Sequence, residues 1–302
     1  MAHDGSLRVI LGSLAGNVAI TVAKAAAAAV TGSGSMLGEA IHSGADCMNQ
    51  VLLLVGARQA ARPPTADHPL GFGRSAYFWS FLVALMLFAG GGVFSLREGV
   101  EKLLHPEPLE HMAAAVAVLA VGLCIETLAL VQATRALSRR RGELGFFAYL
   151  RQTPEADLVV LFAENAGDVV GMVVALVAIG LARFTGDSRW DAVGSLCIGA
   201  LLCGIAFFLA REISSLLLGE RADPIIERTF REEAARDPTL GAVLRVLTLQ
   251  QGPGQVLLAA KLHAAATLDA RAQAVAFNAL EARVRARLPQ VKWQFLEPDI
   301  ED

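Results

Sequence analysis

Read from its amino end, the chain alternates between long apolar runs and short polar breaks. Six runs are long enough to cross the ~30 Å hydrocarbon layer, which takes about 20 helical residues. They are Leu7–Val30, Met36–Ala57, Tyr77–Leu103, His111–Leu137, Leu158–Phe184 and Asp191–Ile213. Breaks such as "TGSGS", "HPEPLE" and "TGDSRW" supply the Gly, Pro and Asp of turns. Tyr77, Phe78, Trp79 and Trp190 stand at run ends, where aromatic side chains favour the membrane interface. After about Gly219 the period changes. "PIIERTFREEAARDP" has helical spacing, "AVLRVLTLQ" and "QVLLAAKLHAA" read as strands around the turn "QGPG", "LDARAQAVAFNALEARVRARLP" as a helix, and "VKWQFLEP" as a last strand. The pattern predicts an α-helical membrane protein with six transmembrane helices over 1–218, and an αββαβ α+β domain over 219–302 with its helices on one face of the sheet.

Composition agrees. The chain has 302 residues, is 54% hydrophobic and has a mean hydropathy of +0.50, too apolar for an ordinary soluble protein. A net charge of −3 gives no reason to expect a nucleic-acid partner. Arg58, Arg62 and Arg74 flank the loop after span two; Arg135, Arg139, Arg140, Arg141 and Arg151 flank the loop after span four. By the positive-inside rule both termini are expected to be cytoplasmic. No basic segment leads into a cleavage site, so no removed signal peptide is expected. Cys47, Cys124, Cys197 and Cys203 lie in apolar runs without CxxC spacing, and are expected as small core residues. His263, alone in the last domain, is expected to be structural.

Against this background, "MLGEAIHSGADCMNQ" in span two is costly. Glu39, His42, Asp46, Asn49 and Gln50 follow steps of three and four, one helix face. Ionisable residues at membrane depth cost about 2.5–3.5 kcal/mol each on insertion scales and face a cavity or each other. Span five, "LVVLFAENAGDVVGM", carries Glu164 and Asp168 four apart, with Asn165 beside them and Asp157 nearer the basic loops. The two spans run in opposite directions, which sets His42 near the depth of Asp168 and Asp46 near that of Glu164. One imidazole and three carboxylates then converge. Empty, such a cluster holds protons; a divalent cation displaces them, which is the thermodynamic requirement for metal/proton antiport. Four N/O ligands suit zinc, and the oxygens also suit manganese or ferrous iron. A structural reading, a protonated network joining helices, competes with transport. Asn17 and Glu126 fit interhelical hydrogen bonds before a place on the ion path, Lys24 fits a snorkelling residue, and "LFAGGGVFS" in span three fits close packing of small residues.

"GEAIHSGADCMNQ" followed by "DHPLGFGRSAYFWSF", with "FSLREGVEKLLHPEPLE" and "RFTGDSRWDAVGSLCIGALL", resembles the cation diffusion facilitator family, especially its zinc-transporter-9-like branch and bacterial relatives. The resemblance covers nearly the whole chain. It implies a six-span homodimer in the lipid bilayer with a cytoplasmic ferredoxin-like domain, exporting divalent metal, foremost Zn²⁺, from the cytosol in exchange for protons by alternating access. The membrane is expected to be a bacterial inner membrane. It matches His42 and Asp46 to the span-two ligands and Asp168 to the span-five aspartate; Glu164 stands where typical zinc exporters have histidine. A complete metal site in the loop after span two is not expected, since Phe72 replaces a histidine and His68 shapes the turn before Pro69. The metal is cargo and no resident cofactor is expected. The alternatives are a Mn²⁺ or Fe²⁺ carrier, or a membrane metal sensor that does not transport. An enzyme is not expected: the sequence holds no HExxH and no nucleophile motif.

Overall fold

A computed structural model describes residues 2–31, 34–106, 112–142, 144–264 and 269–301; within helices, the side chains of residues 2–8, 24, 27, 28, 30, 31, 34–39, 41, 42, 112, 114 and 115 fall outside that description. The calls on Lys24, Glu39 and the imidazole of His42 therefore lie outside the described residues. The elements run α1 (Ala2–Thr31), α2 (Gly34–Ala60), α3 (Ser75–Met86), a π-helical segment (Leu87–Val93), α4 (Phe94–Leu104), α5 (Met112–Ser138), α6 (Phe146–Gln152), α7 (Ala156–Thr185) and α8 (Arg189–Leu218). A smaller set follows: α9 (Pro224–Ala234), β1 (Leu240–Gly252), β2 (Gln255–Ala264), α10 (Ala270–Arg287) and β3 (Val291–Pro298).

Among the described residues, four helical stretches are long and apolar enough to cross a membrane: Ser75–Leu104, Val116–Ser138, Ala156–Thr185 and Arg189–Leu218. Within the described part of α1, Val9–Ala23 forms a further, shorter apolar stretch.

The chain forms two compact units, residues 1–58 with 76–214, and 59–75 with 215–302. In the first, small residues let helices approach. A Cβ on Gly56 of α2 would meet Trp79 Cβ of α3 at 2.8 Å, one on Gly194 of α8 would meet Ala178 Cβ of α7 at 2.6 Å, and one on Gly92 would meet Cys203 Sγ of α8 at 2.5 Å. This is the close packing expected of the "LFAGGGVFS" run. Cys124 and Cys197 correct the expectation of core cysteines: both are exposed on the protein surface. An apolar residue of a span has two acceptable environments, lipid or protein, so apolar context alone does not select the core.

In the second unit β1 pairs antiparallel with β2, and β2 pairs parallel with β3. Asp223 and Asp269 accept from the N–H groups of Ile225 (2.8 Å) and Ala272 (2.7 Å), capping α9 and α10. Both helices cover one face of the sheet: Ile226, Phe230, Leu280 and Val284 bury against Val256, Leu258, Ala260 and Leu262. At the tip of the β1–β2 hairpin, Gly254 adopts φ 67°, open to glycine at no steric cost.

The loop after α2 belongs to this unit. Arg74 Nε donates to Gln251 Oε1 at 3.0 Å and its Nη1 to the Leu217 carbonyl at 3.5 Å. Gly73 and Gly252 meet backbone to backbone; a Cβ on Gly73 would lie 2.5 Å from Gln251 O. Within the loop the Gly71 N–H donates to the His68 carbonyl (2.9 Å), and the His68 ring lies 4.4 Å from that of Phe72.

Candidate metal site

The polar faces of α2 and α7 meet. Asn49 Nδ2 donates to Glu164 Oε1 at 2.7 Å, and both side chains are buried, Glu164 at 2% exposure. Asp46, one turn before Asn49 and half-buried, lies within electrostatic reach of the Glu164 carboxyl. Asp168 follows Glu164 by one turn on the same face of α7 and is half-buried. The direct contact of Glu164 is with Asn49, one turn beyond Asp46, and this one hydrogen bond ties the two polar faces together.

Glu164 is only partly satisfied. Its Oε2 has no hydrogen-bond partner among the described residues, nor has Asn49 Oδ1. Asn165, 1% exposed, has none for either amide atom. Buried polar atoms left open cost free energy that an ion, a proton or water recovers. Glu164 Oε2, Asn49 Oδ1 and the Asn165 amide thus leave a set of open polar atoms in the buried region around α2 and α7.

Other expected residues stand farther off. Gln50 is fully buried and donates from Nε2 to Ser13 Oγ of α1 at 2.9 Å, a link between helices. Asp157 is buried in the first turn of α7, seven residues before Glu164, about 10 Å along the axis. Glu39 and His42 belong to α2, and their side chains lie outside the described ones. Among the described residues no three His, Cys, Asp or Glu side chains gather at metal-binding distance, and the expected imidazole is not among them.

Sequence reasoning underweighted Glu126. It sits on α5, 5% exposed, and its charge reaches Glu164. The available signal was a single carboxylate in the apolar run "AVGLCIETLALV".

Comparison with known proteins agrees with the fold. Residues 10–218 match the family model of the cation efflux transmembrane domain. The chain is 35% identical to the proton-coupled zinc antiporter SLC30A9, mitochondrial, of Xenopus laevis over 235 residues, and 33% identical to its human counterpart over 234; each match takes in 77% of this chain. It covers only 42% and 41% of those relatives, so the chain spans less than half their length. Identity to the cation-efflux pump FieF of Klebsiella pneumoniae is 30%, over 66% of this chain and 61% of that one. The expectation of a bacterial inner membrane is corrected here: the relatives matched over more of the chain, at higher identity, are named as mitochondrial. Loop arginines orient a protein across a membrane without specifying which membrane. The multi-pass character stands, and the family is one of cation transporters rather than enzymes. With its transmembrane domain matched throughout and its identity to SLC30A9 extending over most of its length, the chain belongs to the cation diffusion facilitator family, in the zinc-transporter-9-like branch.

Proposed function

We propose that this chain is a six-span carrier that exchanges a divalent cation, foremost Zn²⁺, for protons, exporting it from the compartment that holds the arginine-rich loops. His42, Asp46, Glu164 and Asp168 are the ligands. The observation that carries this reading is the buried Asn49–Glu164 hydrogen bond, because it brings the two acidic faces to one place and leaves one carboxylate oxygen open. With metal absent, protons neutralise the carboxylates; with metal bound, they leave. Asn49 orients Glu164 in both states. Alternating access then needs only that α2 and α7 expose the same site to either side in turn.

The carboxylate of Glu164 favours a second cargo of the same class, Mn²⁺ or Fe²⁺, since a hard oxygen replaces a borderline nitrogen. Purified protein in liposomes with an internal metal dye and a pH dye tests both. Zn²⁺ flux with opposite proton movement, lost in Asp46→Ala, is the expected result. Binding without flux would make the chain a sensor, and Mn²⁺ flux without Zn²⁺ flux would make the second cargo the true one.

The carrier acts as a homodimer in this reading. The sheet face away from α9 and α10 carries two apolar cross-strand rows, Leu249–Leu257–Trp293 and Leu247–Ala259–Phe295. Leu247 and Phe295 are 53% and 57% exposed. A second copy, turned by a two-fold axis, covers such a face with itself. Cross-linking that finds only monomers in membranes would sink this part.

A further inference from the structure

The site as described draws on α2 and α7. A third helix reaches it. Glu126 is buried in α5, within the apolar stretch Val116–Ser138, and its charge acts on Glu164. The α5–α7 seam explains how. A Cβ on Gly122 would lie 3.2 Å from Met172 Cε, so these two positions face each other. Successive spans run in opposite directions. One turn along α5 from Gly122 comes Glu126, at the depth of the Asp168 turn of α7. Asn165 lies seven residues before Met172, on the same stripe of α7. There it is fully buried with neither amide atom hydrogen-bonded among the described residues, and the open Oε2 of Glu164 is its neighbour in sequence. An acidic side chain and an uncommitted amide thus extend the buried polar cluster toward α5.

We propose that Glu126 is a charge-balancing residue of the cation site, setting a carboxylate from a third helix against Glu164 so that the cargo sits in the combined field of α2, α5 and α7. This rests on the transport reading above. Glu126 acts on the cation through space and through Glu164; it is a positioning residue, not a ligand. Its field acts on the charge of the cation and is indifferent to radius or softness. Removing it therefore weakens every divalent cation alike and leaves their order unchanged, whereas removing a ligand reorders them. A purely structural role would lower stability and leave affinity in place.

The test is equilibrium binding of Zn²⁺ and of Mn²⁺ to the full-length protein in nanodiscs, at one fixed pH, by competition with a fluorescent chelator. Thermal unfolding is followed in parallel. For Glu126→Gln we expect both affinities to fall about tenfold with their ratio held within twofold, because a buried charge is poorly shielded by solvent. The same loss should persist at 1 M salt, because screening acts mainly on exposed charges. Glu164→Gln should change the ratio. Affinities within twofold of the parent, or a loss confined to one metal, would overturn the proposal. Should Glu126→Gln not fold, Glu126→Asp, which withdraws the charge by one methylene, is expected to weaken both metals by roughly two- to threefold; parental affinity there would also overturn it. A parent protein that binds neither metal would instead sink the transport reading, and this inference with it.

Discussion

Glu164 and Glu233 are both buried carboxylates, 2% and 1% exposed, and they are treated in opposite ways. Glu233 of α9 has its counter-charges in place. Arg236 and Arg287 each approach its Oε1 at 2.8 Å, and Arg283 stands 3.7 Å from Oε2. Glu233 belongs to α9, Arg283 and Arg287 to α10, and Arg236 to the turn after α9, so the cluster ties α9 to α10. The Arg287 hydrogen bond, above all, holds the Glu233 carboxyl below its ordinary range. Glu164 has one amide on one oxygen and two further carboxylates in reach. Burial alone therefore does not mark a functional acid. A buried charge whose partners are already present serves the fold, and in the proposed carrier the one left partly open is the ligand.

The sharpest way to break this contrast is to exchange the losses. Glu164→Ala should abolish cation flux, by at least about 100-fold, exceeding the 10–100-fold typical of residues that only orient a ligand. Its cost in thermal stability should be modest, set by the lost Asn49 hydrogen bond and offset by removal of a half-satisfied buried acid. Flux that survives would place the site elsewhere. Asn49→Ala, removing the orienting donor, should weaken metal binding by about 10–100-fold, and parental affinity in a titration would show the hydrogen bond to be incidental.

Glu233→Gln should reverse the pattern. It leaves three arginines without their shared anion, so the second unit should melt earlier while flux per folded molecule persists. Acid should do the same. The lowered carboxyls of Glu233 and Asp237, the latter held by the Thr239 hydroxyl, contribute stability above the ordinary carboxylate range and lose it as pH falls through their depressed values. Amide protection in α9 and α10, relative to the unstructured exchange rate at each pH, should hold from neutral pH through mild acidity and fall only well into acid; loss at mild acidity would mean that these acids titrate normally. Smallest is Gly73→Ala, whose new Cβ collides with the Gln251 carbonyl; about 1–3 kcal/mol of destabilisation is expected, read from denaturant midpoints.

Much of this was legible in the sequence. The stripe of span two and the pair of span five follow helical spacing, which gives each helix a polar face; that Asn49, rather than Asp46, bonds Glu164 depends on the axial offset of the two helices, which spacing does not set. The last domain was equally plain, because strands of period two alternate with amphipathic helices there. What escaped was long-range. Arg74 and Gln251 are 177 residues apart, and no local pattern says that the loop after span two closes on a hairpin near the far end. Glu126 was visible as a residue but not as a neighbour. A single polar position carries no periodicity, so nothing gave the direction it faces.

The π-helical segment Leu87–Val93 divides span three into halves that keep different company. Before it, Trp79 lies on Gly56 of α2; after it, Gly99 lies on Leu196 of α8. An α-helix holds one azimuth along its length, while a wider turn inserts an offset and rotates whatever follows. Span three can thereby serve two seams that a straight rod would not reach together. Its amino half packs on α2 and its carboxyl half on α8, so one helix closes two different seams of the bundle.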